Sequence, residues 1–310
     1  MLRNALLVFF TLGLVMQPTF VSAADKKPVK RVVSKHKHSV MRLEKVNYKR
    51  DPAESIGILK LASSKALIVN QETGEVLYGK SVDEPTPIAS VTKLMTAMVV
   101  LDAKLPMDEA ITITDEDVDT LKGTHSRLRI GTQLTRAELL QIALMASENR
   151  AASALGRTYP GGMPAFLNAM RAKATMLGMA HTQFYDATGL NSANVSTAED
   201  LVKMVRAAYE YPEIRNVTTT ASHEVPVYGA SKPVNYLNTN VLVRNSDWII
   251  GLSKTGFINE AGRCLVMQAE IAGQPLIIVL LDSWGKYSRI GDANRIRKWI
   301  ETSNPFRNMG

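Results

Sequence analysis

The pattern of apolar and polar positions predicts strands at both ends of the main part of the chain. Lys65–Asn70 and Glu75–Gly79 are short apolar runs, and the turn Gln71–Gly74 between them is typical of a β-hairpin. Three later apolar runs also have the length of strands: Trp248–Lys254, Cys264–Ile271 and Leu276–Asp282. We expect the hairpin and the later strands to pair into one antiparallel sheet.

Helices are predicted between these two groups of strands. Thr92–Leu101 is apolar nearly all round, which is typical of a buried helix. Two capping boxes, at Thr135–Glu138 and Ser196–Glu199, each predict the start of a helix, and Pro212 should end the second one. A further helix should follow Gly161-Gly162 and end at Gly178. The amphipathic pattern of Ile290–Ile300 predicts a closing helix. The chain is therefore expected to be an α+β protein. Helices should flank the sheet, and an inserted helical subdomain should form a cleft with it.

The N-terminal segment, residues 1–23, has the features of an export signal. Arg3 gives a positive start, Ala5–Met16 is a mostly apolar run, and small residues surround Ala23. The run is shorter than the ~20 residues that span a membrane. We expect a signal peptide over residues 1–23, cleaved near Ala23 or Ala24, and an exported, periplasmic protein.

The positive charge is concentrated in one short segment. The 310 residues carry a net charge of +8, but residues 24–54 alone contain ten Lys/Arg and four Asp/Glu. This segment lacks an apolar period, so we expect a flexible basic linker before one folded domain at residues 55–310. Two interpretations of the linker stay open: loose association with an anionic surface, or a solvated tether. A folded part with so little net charge argues against a nucleic-acid partner.

The composition, with 45% apolar and 21% charged residues, is that of a globular protein and excludes a disordered chain. Cys264 is the only cysteine, so no intramolecular disulfide can form, and the sequence contains no HExxH motif. A zinc peptidase is therefore not expected.

One short motif is suited to nucleophilic catalysis. Ser90-Val-Thr-Lys93 lies at the start of the predicted buried helix, where positions i and i+3 share one face. Ser90 Oγ and Lys93 Nζ should therefore meet. A serine hydroxyl needs a base, and a lysine whose pKa is lowered can act as one. The same spacing, without a buried helix after it, occurs at Ser34…Lys37 and Ser283…Lys286.

Two further motifs offer polar groups to a substrate. Ser147-Glu-Asn149 places a hydroxyl and an amide two positions apart, although Ser192-Ala-Asn194 fits the same pattern. Lys254-Thr-Gly256 adds a cation, a hydroxyl and a glycine at the end of a predicted strand, where glycine permits close approach to the backbone. Each motif alone is weak, and the informative feature is the order and wide spacing in which the three follow one another.

S-x-x-K, S-x-N and K-T-G in this order are the signature of penicillin-binding proteins and serine β-lactamases. Asp186-Ala-Thr-Gly-Leu190 and Asn194-Val-Ser-Thr-Ala198 strengthen a resemblance that covers residues 60–302, while Glu148 stands where the signature has Asp. The chain is identified as a member of the low-molecular-mass penicillin-binding proteins. It most resembles the D-alanyl-D-alanine endopeptidases of the penicillin-binding protein 7 type. This resemblance implies a β-lactamase/transpeptidase-like fold and hydrolysis of D-alanyl cross-links in peptidoglycan.

The resemblance also implies a role for each motif residue. It implies a nucleophile, its general base and a proton relay, which would be Ser90, Lys93 and Ser147. It implies a substrate-binding set, which would be Asn149, Lys254, Thr255, Gly256 and Phe257. The charge of Lys254 would attract a substrate carboxylate and help to keep Lys93 neutral, and the backbone N–H groups of Ser90 and Phe257 would form an oxyanion hole. Peptidoglycan would be the partner, the linker would associate loosely with murein or a membrane surface, and β-lactams would be covalent inhibitors. No metal or cofactor is implied.

Three alternatives stay open. A D,D-carboxypeptidase would perform the same chemistry on a terminal D-Ala. The short segment from Gly256 to Gly310 leaves little room for the further domain and anchor of the large carboxypeptidases, which favours the endopeptidase. A β-lactamase is less favoured because Asp186–Asn194 contains no Glu for deacylation. A non-catalytic β-lactam-binding protein would retain Ser90 and Lys93, so the motifs do not exclude it.

Overall fold

The structure, a computed structural model, describes residues 59–303. The expected signal peptide (residues 1–23), the basic linker (residues 24–54) and the tail from residue 304 lie outside the described residues. The described residues belong to the unit Glu54–Gly310. No helix within them combines the length and the apolar character that crossing a membrane requires.

The described residues form both strands and helices. The strands are β1 Ser63–Asn70, β2 Val76–Lys80, β3 Thr86–Pro87, β4 Ala110–Thr112, β5 Gln133–Thr135, β6 Val195–Ser196, β7 Ser222–Val225, β8 Val234–Leu237, β9 Ile249–Ile258, β10 Gly262–Ile271 and β11 Gln274–Ser283. The α-helices are α1 Lys93–Asp102, α2 Arg136–Met145, α3 Asn149–Arg157, α4 Gly162–Met176, α5 Ala198–Tyr209, α6 Pro212–Thr218 and α7 Ser288–Ser303. Short 3-10 helices occupy Ala89–Thr92, Asp115–Asp117 and Val241–Arg244.

The main sheet joins the two ends of the described chain. Its order is β2-β1-β11-β10-β9, and all its neighbours are antiparallel. Leu67 of β1 pairs with Val279 of β11, so the hairpin at the start of the domain is closed by a strand from the other end of the described chain. The expected single antiparallel sheet is confirmed. β9 forms one edge of this sheet and carries the K-T-G motif.

Both faces of the sheet are covered. On one face, Ile296 and Ile300 of α7 pack in a core cluster with Leu265 and Leu280 of the sheet. On the other face, the sheet contributes to a larger cluster shared with the helices α1 to α6. Burial on two faces explains why these strands are nearly continuous apolar runs rather than alternating ones. The α+β architecture expected from the sequence is confirmed.

Several local predictions are also confirmed. Gly74 adopts a φ of +76° in the turn between β1 and β2, a conformation that favours glycine. The capping box at Thr135 is present, because its side chain accepts from the backbone of Glu138 while the carboxylate of Glu138 accepts from Thr135. The predicted helix at Thr92–Leu101 is α1, and most of its side chains are buried.

Several element boundaries differ from those predicted, and three of the differences have a clear physical cause. β9 does not end at Lys254 but continues through the K-T-G motif to Ile258, because β10 pairs with it over that whole length. The cap of α5 is Thr197 rather than Ser196, since Thr197 accepts from the N–H of Asp200. Pro212 is the first residue of α6, where its missing N–H is not needed.

Candidate active site

Ser90 lies in the 3-10 helix that leads directly into α1. Its side chain is half-buried, and the residue before it, Ala89, has a φ of +47°, which is strained for a residue with a side chain. The i, i+3 spacing brings Lys93 Nζ to 2.9 Å from Ser90 Oγ. The contact expected between the two residues of the S-x-x-K motif is therefore present.

Lys93 is buried and surrounded by oxygen atoms. Only 1% of the residue is exposed, and Nζ donates to Asn149 Oδ1 at 2.7 Å and to the carbonyl oxygen of Thr188 at 2.7 Å. Burial lowers the pKa of Lys93 to about 7, and the negative charges of Asp186 and Glu148 oppose this change. The amine can therefore lose its proton near neutral pH and accept one from a serine hydroxyl.

Asn149 faces the lysine. Its Oδ1 accepts from Lys93, and its Nδ2 donates to Thr124 Oγ1 at 3.1 Å. The motif predicts that this side chain contacts the substrate, and in the structure its hydrogen bonds are made to Lys93 and Thr124. Asn149 thus orients Lys93.

Ser147 and Lys254 come from distant parts of the chain and meet at the same place. Lys254 Nζ lies 2.9 Å from Ser147 Oγ and also donates to the carbonyl oxygen of Thr255 at 2.9 Å. Ser147 lies in the turn between α2 and α3 with a φ of +61°, so its backbone is strained where it points its hydroxyl at β9. The structure brings together the three motifs that the sequence keeps far apart.

Burial also lowers the pKa of Lys254 well below its usual value, and the positive charge of Lys93 lowers it further. The two positive charges repel each other, so each lysine favours the neutral form of the other. Burial is the main cause of the lowered pKa of both lysines. Two buried ammonium groups in one site cannot both remain charged without a nearby anion.

Gly256 brings β9 against the segment that carries Ser90. A Cβ at Gly256 would lie 2.9 Å from the carbonyl oxygen of Ile88 and 3.1 Å from the backbone nitrogen of Ser90. The glycine is therefore required by the protein's own packing, in addition to any approach of a substrate. Thr255 Oγ1 donates to Thr239 Oγ1 at 2.7 Å. Phe257 follows with half of its side chain exposed.

The loop that begins at Asp186 holds Lys93 in place, a role that its sequence did not predict. The carboxylate of Asp186 accepts from the N–H groups of Thr188, Gly189 and Asn191 at 3.0, 2.6 and 2.7 Å. This arrangement aims the carbonyl oxygen of Thr188 at Lys93. The spacing of an Asp before a Thr-Gly pair is the signal that indicates such a turn, because Asp side chains accept from backbone N–H groups two positions on.

Gly189 fixes the position of this loop against the serine. A Cβ there would lie 1.9 Å from the carbonyl oxygen of Ala89, and the residue has a φ of +81°. Asn194 also joins this loop to the segment that carries Ser90, because its Nδ2 donates to Thr92 Oγ1 at 3.1 Å. The second S-x-N match in the sequence is thus a structural element of this loop.

The remaining motif matches have other surroundings. Ser283 is buried, and its Oγ lies 2.6 Å from Ser63 Oγ, which donates to the carboxylate of Asp292. It therefore joins β1, β11 and α7. The match at Ser34…Lys37 lies outside the described residues. Cys264 is buried among apolar side chains, which raises the pKa of its thiol to about 11.

Comparisons with known proteins agree with this geometry. A family model described as D-alanyl-D-alanine carboxypeptidase matches residues 50–285. A D-alanyl-D-alanine endopeptidase of Pseudomonas aeruginosa is 48% identical over 243 residues, which cover 78% of this chain and 78% of that protein. The protein of the same name from Escherichia coli is 46% identical over 243 residues, with the same coverage. The crystal structure of a Streptomyces DD-transpeptidase covers 78% of this chain and 98% of its own, with a TM-score of 0.72 and 30% identity.

Proposed function

The chain belongs to the D-alanyl-D-alanine carboxypeptidase family of serine D,D-peptidases, and on this premise we propose that it hydrolyses D-alanyl cross-links in peptidoglycan through an acyl-enzyme on Ser90. One observation carries the proposal. Lys93 Nζ lies 2.9 Å from Ser90 Oγ, on a lysine that is buried and whose pKa is about 7. A nucleophile and a base are therefore in contact at neutral pH.

The first half of the reaction forms the acyl-enzyme. Neutral Lys93 accepts the proton of Ser90 as Oγ attacks the carbonyl carbon of the D-alanyl residue. The N–H groups of Ser90 and Phe257 stabilise the negative oxygen of the tetrahedral intermediate. The intermediate collapses, the C–N bond breaks, and the departing amine receives a proton through Ser147. The products are an ester on Ser90 and a free amine.

The second half releases the acyl group. Lys93, neutral again, takes a proton from a water molecule that attacks the ester carbonyl, and the proton returns to Ser90 Oγ. Lys254 assists the binding step, because a substrate carboxylate beside it favours the charged form of the buried amine. Thr255 supplies a hydroxyl for the same carboxylate.

Endopeptidase activity is favoured over carboxypeptidase activity by the two similar relatives, both of which are named endopeptidases. The carboxypeptidase alternative rests on the family's own description. A β-lactamase is less favoured, because the carboxylate of Asp186 is occupied by the backbone of its own loop and the loop offers no Glu. The same serine is expected to react with β-lactams, which then act as covalent inhibitors.

The N-terminal residues supply the rest of the proposal. Residues 1–23 would direct export to the periplasm and be removed near Ala23 or Ala24, and residues 24–54 would form a basic tether that associates loosely with murein or a membrane surface. Peptidoglycan is the substrate available in that compartment to an enzyme of this family.

One assay tests the proposed activity against its alternatives. Purified protein is incubated with cross-linked muropeptide dimers and, separately, with a pentapeptide that ends in D-Ala-D-Ala. Release of monomers from the dimers that is absent in Ser90→Ala supports the endopeptidase. Release of D-Ala alone would support the carboxypeptidase. Labelling by penicillin without either release would support a non-catalytic binding protein.

A further inference from the structure

A group of exposed aromatic and cationic side chains lies at the end of the main sheet, beyond the proposed site. We call it the aromatic–cationic patch; its members are Phe257, Arg263, Trp284, Lys286 and Tyr287. The strand register pairs Phe257 with Arg263, and Arg263 with Ser283. Trp284, Lys286 and Tyr287 follow in the connection from β11 to α7. The sheet thus brings residues from two separate segments of the chain to one of its ends.

The aromatic members of the patch are unusually exposed. Trp284 is 75% exposed, Tyr287 is 64% exposed and Phe257 is 50% exposed. Within residues 59–303, three of the five exposed large aromatic side chains lie here; the other two are Tyr185 and Tyr228. Apolar area that is gathered in one place and left in contact with water is typical of a binding surface.

The patch is also positively charged. Arg263 Cζ lies 4.4 Å from the centre of the Phe257 ring, and Lys286 Nζ lies 5.4 Å from that of Tyr287. Neither cation forms an ion pair with another described residue.

Two of the three acidic residues near the patch are already engaged. Glu260 is paired with Lys122. The side chain of Asp282 lies against Gly262 and forms no ion pair with another described residue. Asp292 accepts from Ser63. The patch therefore offers two cations to an external anion.

The patch adjoins the strand that carries the K-T-G motif. Phe257 directly follows Gly256, and Arg289 in the first turn of α7 donates to the carbonyl oxygen of Gly256 at 3.0 Å. The start of α7 is thus held against the strand that contacts the serine. Because a Cβ at Gly256 would face Ser90, the ring of Phe257 points to the other face of the sheet.

We propose that the aromatic–cationic patch is a second binding surface for peptidoglycan, on which sugar rings stack on Trp284 and Tyr287 while Arg263 and Lys286 pair with carboxylates of the attached stem peptides. The ligand class is an acidic glycopeptide, because sugar rings present a C–H face to aromatic rings and stem peptides carry free carboxylates. Trp, Tyr and Arg are also the side chains that carry most of the energy at binding surfaces. This inference rests on the proposed function and extends its substrate beyond the scissile bond.

Binding to murein tests the patch independently of hydrolysis. The full mature protein carrying Ser90→Ala is sedimented with purified sacculi, alone and with the added pair Trp284→Ala/Tyr287→Ala. We expect the patch variant to bind about tenfold more weakly, the effect of losing one well-packed aromatic contact. Tyr228→Ala, which removes an exposed tyrosine outside the patch, in the segment between β7 and β8, is the matched control and should bind as the parent does.

Competition separates the sugar from the peptide. Sugar-bearing muropeptides should displace the parent protein from sacculi more strongly than the same peptides freed of sugar by an amidase, and this difference should vanish in the aromatic variant. The pair Arg263→Gln/Lys286→Gln should weaken competition by both ligands. All variants in an active background should still be labelled by penicillin at the parent rate.

Two results would overturn the proposal that the patch binds peptidoglycan. One is equal sedimentation of the parent and the aromatic variant, which would leave the exposed rings for a different partner such as a protein. The other is a loss of competition in the aromatic variant that is identical for sugar-bearing and sugar-free ligands. Failure of the proposed function would look different: the active parent would release no monomers from muropeptide dimers while its Ser90→Ala form still bound sacculi through the patch.

Discussion

Lys93 Nζ lies 2.7 Å from the carbonyl oxygen of Thr188, so the proposed general base is held by a backbone atom 95 positions further along the chain. This contact depends on the Asp186 loop, whose carboxylate orders three backbone N–H groups. The loop therefore controls both the position of the amine and, through the charge of Asp186, its pKa.

Labelling should identify the nucleophile. A labelled penicillin is expected to attach covalently to Ser90, and Ser90→Ala should abolish the label, because the hydroxyl in contact with Lys93 is the one that attacks. Peptide mapping by mass spectrometry locates the adduct. Ser283→Ala serves as the control, since its hydroxyl is buried beside Ser63, and it should be labelled normally. A label that persisted in Ser90→Ala would refute the assignment.

Substitution of the two lysines should lower the acylation rate in different ways. Lys93→Ala should slow acylation by at least ~10²-fold with every substrate, which is the scale of a lost general base. Lys254→Ala should act mainly on substrates that carry a free carboxylate, because Lys254 supplies the positive charge for it. Stopped-flow acylation with paired substrates, with and without the carboxylate, measures this. An unchanged rate for Lys254→Ala with the carboxylate-bearing substrate would contradict its role.

The pH dependence of acylation should report the pKa of Lys93. The neutral amine is the active form, so the rate should rise with pH through about 7. The negative charge of Asp186 raises this pKa, so Asp186→Asn should move the rising limb to lower pH. Asp200→Asn is the control, because it removes another buried carboxylate that orders a loop. The rising limb of its pH–rate profile should stay at the same pH as in the parent. A limb that moved to higher pH in Asp186→Asn would contradict the assigned effect of this charge.

Gly189 should be intolerant of a side chain. Gly189→Ala places a Cβ 1.9 Å from the carbonyl oxygen of Ala89 at a φ of +81°, so it should destabilise the fold by about 3 kcal/mol or more and displace Ser90. Gly74→Ala has a similar φ of +76° but meets no atom within 4 Å, so only the backbone cost of about 1–2 kcal/mol is expected. Chemical denaturation and the acylation rate compare the two, and equal losses would contradict the packing argument.

The basic linker should affect retention rather than chemistry. Removal of residues 24–54 should leave hydrolysis of a small soluble substrate intact and weaken retention on sacculi. The retention of the full protein should fade with salt, because exposed charges are screened beyond ~8–10 Å at physiological ionic strength. Sedimentation at low and high salt checks this, and equal retention at low salt would mean that the segment is only a solvated tether.

Local sequence determined much of the fold. The apolar runs at Lys65–Asn70 and Leu276–Asp282 identify strands because burial on both faces demands continuous apolar residues. The spacing of Ser90 and Lys93 was sufficient to place them together, since i and i+3 share a face at the start of any helix. The order of the three motifs then indicated the family.

Tertiary structure decided the rest. The contact between Ser147 and Lys254 joins two positions that are far apart along the chain, and no local pattern encodes such a contact. No sequence signal revealed the backbone carbonyl of Thr188 at Lys93, because every residue has a carbonyl and only folding aims it. The pKa of Lys93 was likewise undetermined, since it depends on how completely the folded chain removes the amine from water and on which carboxylates lie near it.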